Sequence, residues 1–131
     1  MDTADAVRLV NRGMVAFDLA LGSGAVLAPD ATLRALGHAP PSPDARALFR
    51  RNGPVWLTFA AAHLVAARRG APRDWWALAW LRGTEVLTDV VWSGSPAVAA
   101  RRSRAALRLA GAFNLALAAG CAAVARREGV R

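Results

Sequence analysis

Residues 75–92 read WWALAWLRGTEVLTDVVW, an apolar stretch that three charged side chains interrupt. Arg82, Glu85 and Asp89 are spaced i, i+3 and i+7, which places all three on one face of a helix. Each charge costs roughly 2.5 to 3.5 kcal/mol at the centre of a bilayer, whereas a good apolar residue returns about 0.3 to 0.6 kcal/mol. A helix of this composition cannot face lipid alone, so its charged stripe is predicted to point into a helical bundle.

Three further apolar stretches continue the pattern along the chain. They cover roughly residues 9–28, 53–67 and 107–125, close to the ~20 residues that a helix needs to cross ~30 Å of hydrocarbon. The second and fourth of the four stretches are apolar nearly all round, and a single small domain cannot hide two such helices in its core. The sequence therefore predicts an all-α fold, a single four-helix transmembrane bundle over residues 1–131 with a longer first loop over about residues 29–51.

Composition and charge favour the same interpretation. Of the 131 residues 55% are hydrophobic, and 17 basic against 9 acidic side chains give a net charge of +8. All basic residues are Arg, and they bracket the apolar stretches, where long side chains reach lipid headgroups. Four of the five Trp lie near predicted helix ends, as in an aromatic belt. A nucleic-acid binder would instead concentrate its basic residues on one face, so an integral membrane protein is predicted and a nucleic-acid partner is not.

The other predicted helices bring polar side chains to a similar depth. Asp18 lies near the middle of the first, His63 about one turn from the middle of the second and Asn114 near the middle of the fourth. Asn11 lies on the face of Asp18, and Trp56 lies on the face of His63. If these faces converge, they enclose a polar pocket with Trp and Phe walls, which is the usual composition of a small-molecule site.

Three carboxyl groups, those of Asp18, Glu85 and Asp89, share one inward cation, Arg82. A hydrogen bond that joins two helices is a sufficient explanation for Asn114 taken by itself. Joining helices does not require three carboxyl groups. Unless Arg12 or a protonated His63 reaches in as a further cation, one carboxyl group is expected to hold a proton beside an ionised one, which makes an acid–base pair. The predicted catalytic residues are Glu85, Asp89, Asp18 and Arg82. The predicted substrate-binding residues are His63, Asn114, Trp56, Trp75, Trp92 and Asn11.

The leading functional hypothesis is an integral-membrane enzyme that acts on a lipophilic small molecule by carboxylate acid–base chemistry. Epoxide opening, cyclisation or isomerisation fit, since one carboxylic acid protonates an oxygen while a second carboxylate activates a hydroxyl group or water. No metal and no cofactor is expected. The alternative is a non-enzymatic membrane protein, either a small transporter or an accessory subunit. The expected partners are the substrate and membrane lipids, and a homo-oligomer is left open.

The remaining motifs are few. Residues 22–24 form a lone Gly-x-Gly without a preceding strand, so together with Gly13 they are predicted to allow close helix packing rather than to bind a dinucleotide. His38 and His63 have no spacing that suggests a metal site. The first loop is too proline-rich to be wholly helical, and it is interpreted either as a lid over one mouth of the bundle or as a surface loop without a role.

Several local features together define a layout. They are a Gly-rich first helix that ends at Pro29, the Leu36-Gly37 turn, Asn52-Gly53 at the start of the second helix, and a third helix with Arg82 and later Asp89. In this layout the chain resembles the small four-helix bacterial membrane proteins called DoxX-like. The resemblance implies a four-crossing bundle in a bacterial inner membrane, and it implies no particular reaction.

Overall fold

The described residues form an all-α structure. A computed structural model describes residues 2–96, 98 and 100–130. Its helices are α1 (Thr3–Leu27), α2 (Pro29–Ala35), α3 (Pro43–Arg69), α4 (Pro72–Ser93) and α5 (Arg101–Gly129). Helix α1 packs mainly on α3, and α4 packs mainly on α5. Smaller contacts of α3 with α4 and of α1 with α5 join these two helix pairs.

The predicted four-helix transmembrane bundle is wrong in two respects. The described chain has five helices, because Pro29 at the first helical position and Asp30 in the first turn start α2 within the expected loop. Among the described residues, one helix alone, α5, is long and apolar enough to cross a membrane. Arg82, Glu85 and Asp89 interrupt the apolar stretch of α4, and charged and polar residues also dilute α1 and α3.

Helix α5 is compatible with a membrane span by length and composition. It has 29 residues and contains an apolar segment of 18 residues, of which 28% is buried in the fold. The core helix of a soluble protein is buried over most of its length, whereas α5 exposes large side chains such as Leu109 and Leu115. The expected integral membrane protein therefore reduces to a helical chain with one helix that is able to cross a bilayer.

Helix α3 begins well before residues 53–67, the apolar stretch from which a helix was predicted. The side chain of Ser42 caps the helix by accepting a backbone N–H of the first turn at 3.2 Å, and Pro43 occupies the first helical position. Pro54, at the start of the apolar stretch 53–67, lies inside the helix. The predicted long first loop consequently shrinks to residues 36–42.

Two glycines allow α1 and α3 to cross closely. A Cβ atom added to Gly53 would lie 2.4 Å from Cγ2 of Val26 and 2.9 Å from the carbonyl oxygen of Gly22. A Cβ atom added to Gly22 would lie 2.9 Å from the carbonyl oxygen of Gly53. The prediction that glycines of the first helix permit close packing is confirmed for Gly22 and wrong for Gly13, which has no such neighbour within 4 Å.

Apolar side chains fill one end of the bundle. They come from the start of α1, the end of α3, the start of α4 and the end of α5, and a smaller cluster packs α2 against α1 and α3. The larger cluster comprises Ala4, Val7, Met14, Ala66, Trp75, Leu78, Leu117, Cys121, Val124 and Ala125, and the smaller one comprises Ala25, Leu33 and Phe49. Neither cluster fills the space between the two helix pairs at the opposite end, where a cavity opens.

We expect Gly53→Ala to lower the free energy of unfolding by about 1 to 3 kcal/mol, because the new methyl group meets a backbone that cannot move away cheaply. Gly13→Ala is the matched control, since it adds the same methyl group in open space and gains up to about 1 kcal/mol of helix propensity. Chemical denaturation of both variants, followed by circular dichroism, measures the difference. Equal stability of the two variants would contradict the close crossing.

Candidate functional site

A cavity of about 660 Å³ lies between the two helix pairs. Its walls come from the second half of α1, the first half of α3, the second half of α4 and the first half of α5. Aromatic side chains form much of its surface, among them Phe17, Trp56, Trp92 and Phe113. A volume of this size and an apolar wall with a few polar groups are typical of small-molecule sites.

All four predicted catalytic side chains line this cavity. Arg82, Glu85 and Asp89 come from α4, and Asp18 comes from α1. Asp18 is 1% exposed, Arg82 2% and Asp89 7%, while Glu85 is half-buried. The helix spacing therefore led to residues that the fold brings together, and their catalytic roles stay predictions.

Side chains from two other helices hold Arg82. Its Nη2 donates a hydrogen bond to Oδ2 of Asp18, and its Nε donates to Nε2 of His63 at 2.9 Å. Because Nε2 accepts, the proton of the neutral imidazole lies on Nδ1, which donates to Oδ1 of Asn11 at 2.5 Å. The Arg82 guanidinium also lies over the ring of Phe59, 5.4 Å from its centroid. A continuous hydrogen-bonded chain thus connects α1, α3 and α4.

His63 does not supply the further positive charge that the carboxyl groups would need. Burial and the neighbouring Arg82 lower the pKa of His63 to about 3, so its ring is neutral at neutral pH. Arg12 does not reach the cavity either, since it lines a small pocket of about 120 Å³ beside the start of α1 and the end of α3. Arg82 is therefore the one Arg among the described residues that line the cavity.

The three carboxyl groups have different surroundings. Burial raises the pKa of Asp18, and the bonded Arg82 acts against this shift. Burial raises the pKa of Glu85, and the negative charge of Asp89 raises it further. Burial also raises the pKa of Asp89, but Nδ2 of Asn114 donates to its Oδ2 at 2.9 Å and so favours the ionised form. Of the pair on α4, Glu85 is therefore the group that holds a proton more firmly.

Two buried oxygen atoms beside the cavity lack a hydrogen-bond partner within the described part of the protein. They are Oδ1 of Asp18 and Oδ1 of Asn114, and both residues line the cavity. A buried acceptor without a partner costs about 1 to 3 kcal/mol. These atoms are thus suited to accept a hydrogen bond from a bound molecule or from water.

The α2–α3 loop covers one side of the cavity. The His38 ring stacks on Trp92 with 5.3 Å between ring centroids, and Oγ of Ser103 donates to the carbonyl oxygen of Gly37 at 3.3 Å. Leu36 and His38 also line the cavity. The loop therefore lies against α4 and α5 as a lid would, rather than on a remote surface.

Three of the six predicted substrate-binding residues lie away from the cavity. His63 and Asn11 are fully buried in the hydrogen-bonded chain, and Trp75 is 1% exposed inside the apolar core. The other three, Trp56, Trp92 and Asn114, line the cavity. Helix spacing identifies a shared face but not the depth along it.

Polar residues that were not predicted also line the cavity. They include His38 of the loop, Asn52 of α3 and Thr88 of α4. Asn52 was interpreted as part of a helix start, but it lies inside α3, four residues before Trp56 and on the same face. Its i, i+4 spacing to Trp56 is the signal that would have located it.

Comparison with protein-family models, curated proteins and solved structures found no match for the chain. The resemblance to the DoxX-like proteins thus remains a prediction, and the interpretation of the cavity depends on its geometry. Within residues 2–96, 98 and 100–130, no group of three or more His, Cys, Asp or Glu side chains is placed to hold a metal ion.

We expect the protein to lose stability through His63 as the pH falls from about 7.5 to about 5.5. The folded imidazole has a pKa of about 3 and stays neutral, whereas the unfolded chain binds a proton at the ordinary pKa of 6.5. Because the unfolded state then binds more protons, stability is full above this ordinary pKa and decreases below it. The loss from this one group over the interval is about 1.4 kcal/mol.

The measurement compares free energies of unfolding of the wild type and His63→Gln at both pH values. Glutamine keeps an acceptor for Arg82 but does not titrate in this range. The carboxyl groups with raised pKa change stability in the opposite direction in both proteins, so the difference between the two proteins isolates His63. An identical pH dependence would show that His63 is not held neutral.

Proposed function

We propose that this protein is a membrane-associated enzyme that acts on a lipophilic small molecule by carboxylate acid–base chemistry. The observation that carries the proposal is the placement of Glu85, Asp89 and the Asp18–Arg82 ion pair around one largely apolar cavity. If these polar groups served only to join the helices, all of them would form contacts between helices. Glu85 instead lines the cavity, and no ion pair of its carboxyl group is formed within the described residues.

Glu85 serves as the general acid and Asp89 as the general base. In epoxide opening, the proton of Glu85 moves to the epoxide oxygen while the carbon–oxygen bond breaks. Asp89 takes the proton from the water or hydroxyl group whose oxygen forms the new bond to carbon, so the product is a diol or a cyclic ether. A proton that passes from Asp89 back to Glu85 restores the starting state.

Arg82 acts on this pair through its fixed positive charge. Asp18 and His63 hold the guanidinium in place, and its charge opposes the raised pKa of Glu85. When Glu85 gives up its proton, the same charge stabilises the carboxylate that forms. His63 and Asn11 are positioning residues in this scheme, since neither lines the cavity.

The burial of the charged stripe favours the enzyme over an accessory subunit. A stripe that pairs with a helix of another protein would lie on an outer surface of the chain. Arg82 and Asp89 are instead buried within one chain and meet at its own cavity. The site is thus able to enclose a ligand without a partner protein.

Membrane attachment is supported by α5 and by the exposed apolar surface. Leu19 on α1, Trp80 and Leu87 on α4 and Leu109 on α5 are each more than half exposed. An exposed apolar surface of this extent is typical of a site that contacts a membrane or another protein. Helix α5 is long and apolar enough to enter a bilayer. We propose a location in the bacterial inner membrane, where a lipophilic substrate would reach the cavity from the lipid phase.

The amide variants Glu85→Gln and Asp89→Asn should each reduce turnover by about 100-fold or more, because each removes one proton-transfer group. The assay uses the protein in lipid nanodiscs with two probes, 1,2-epoxydecane in ¹⁸O-labelled water and 4,5-epoxydecan-1-ol. Mass spectrometry detects the labelled diol or the cyclic ether.

Asp44→Asn is the matched control, since Asp44 is an exposed carboxylate at the start of α3 that does not line the cavity. It should turn over the probes at the wild-type rate. Circular dichroism checks that all variants fold. Amide variants as active as the wild type, or a wild type without product from either probe, would contradict the proposed chemistry.

The rate should depend on pH as a bell-shaped curve. Activity falls as the pH rises through the raised pKa of Glu85, because the acid loses its proton, and it falls at low pH, where Asp89 becomes protonated. The two limbs belong to the coupled pair, which also faces Asp18 and Arg82. Values of kcat/KM across the pH range test this, and a rate that only rises with pH would contradict Glu85 as the acid.

A further inference from the structure

The charges around the cavity are not balanced. Its lining contains the carboxyl groups of Asp18, Glu85 and Asp89 and the single guanidinium of Arg82. Arg82 is already bonded to Asp18, so the pair on α4 has no cation of its own among the described lining residues. Even when Glu85 and Asp89 share one proton, the cavity keeps a net negative charge.

The walls around this negative charge are aromatic. Phe17, Trp56, Trp92 and Phe113 line the same cavity. The faces of such rings attract cations, and aromatic rings form the cages that bind quaternary ammonium groups. An apolar ligand that develops no positive charge would instead remove water from the carboxylates without replacing the lost interactions.

Two further groups at the cavity point to the same kind of ligand. Oδ1 of Asp18 and Oδ1 of Asn114 have no partner within the described chain, and their residues are 1% and 7% exposed. Both atoms are acceptors, so each favours a ligand that is positive or donates hydrogen bonds. Carboxylates, ring faces and unpartnered acceptors therefore all select positive charge.

We propose that the substrate of this cavity is an apolar molecule whose reacting carbon becomes positively charged in the transition state. As the carbon–oxygen bond breaks, its electron pair moves to the oxygen, which takes the proton of Glu85, and the carbon is left electron-poor beside Asp89 and the rings of Trp56 and Trp92. A carbon that bears alkyl, vinyl or aryl groups supports such charge. The inference rests on the proposed function, since it names the substrate class of the same site.

A stable cation of similar shape mimics this charge and should bind tightly. The probes are phenyltrimethylammonium and its uncharged isostere tert-butylbenzene, which differ only in nitrogen against carbon at the centre. Binding is measured by calorimetry and by Trp fluorescence with the protein in phosphatidylcholine nanodiscs, with empty nanodiscs to correct for partition into lipid. We expect the cation to bind at least about 10-fold more tightly than tert-butylbenzene.

The variants locate the effect. Asp89→Asn should weaken binding of the cation, because it removes the ionised carboxylate of the pair. Glu85→Gln replaces a group that holds its proton and should change binding of the cation little. Both variants should leave binding of tert-butylbenzene unchanged, which also shows that the cavity is intact. Asp44→Asn should bind both probes as the wild type does. Equal binding of the two probes to the wild type, a comparison that needs no variant, would overturn the inference, as would unchanged cation binding in Asp89→Asn.

The assays separate this inference from the proposed function. Preference for the cation without turnover of an epoxide supports the selection of positive charge and contradicts the enzyme. Turnover without preference for the cation supports the acid–base enzyme and overturns the inference about its substrate.

Discussion

The burial of one guanidinium is the constraint on which the rest of this structure depends. Arg82 is 2% exposed and cannot lose its charge, so its burial requires partners. Asp18 from α1 and His63 from α3 supply them, and the hydrogen bonds to Arg82 tie the α1–α3 pair to α4 at this level. Apolar residues of similar volume often replace such a buried ion pair without loss of stability. The pair is therefore better explained by the proposed chemistry beside it than by folding.

The hydrogen-bonded chain of Asp18, Arg82, His63 and Asn11 also divides the bundle into two parts. On one side the helices meet through an apolar core that includes Trp75 and Leu78, two turns and one turn before Arg82 along α4. On the other side Glu85 and Asp89, one and two turns beyond it, border open space. The filled part holds the helices in place. In the unfilled part the helices make fewer packing contacts, because a cavity lies between them. This division is the common pattern of a stable scaffold with a less stable site.

The sequence predicts what depends on local spacing and misses what depends on partners. The shared face of Arg82, Glu85 and Asp89 follows from the period of the helix, and all three reach the cavity. The same period placed Trp75 on that face but did not reveal that the core would bury it. Proline was ambiguous for another reason, because Pro29 and Pro43 begin helices where a loop was expected. Counting apolar residues likewise overstated the number of membrane helices.

The difference between the proposed acid and the proposed base arises outside the helix that carries them. Glu85 and Asp89 lie one turn apart on α4, and spacing alone makes them equivalent. Asn114 on α5 breaks this equivalence by donating to Asp89, so the proton stays more firmly on Glu85. A protonated His63 would add a second cation beside Arg82 and favour the ionised form of every nearby carboxyl group. Because His63 is neutral, it adds no charge that would oppose the raised pKa of Glu85, and the proposed chemistry depends on a histidine that does not line the cavity.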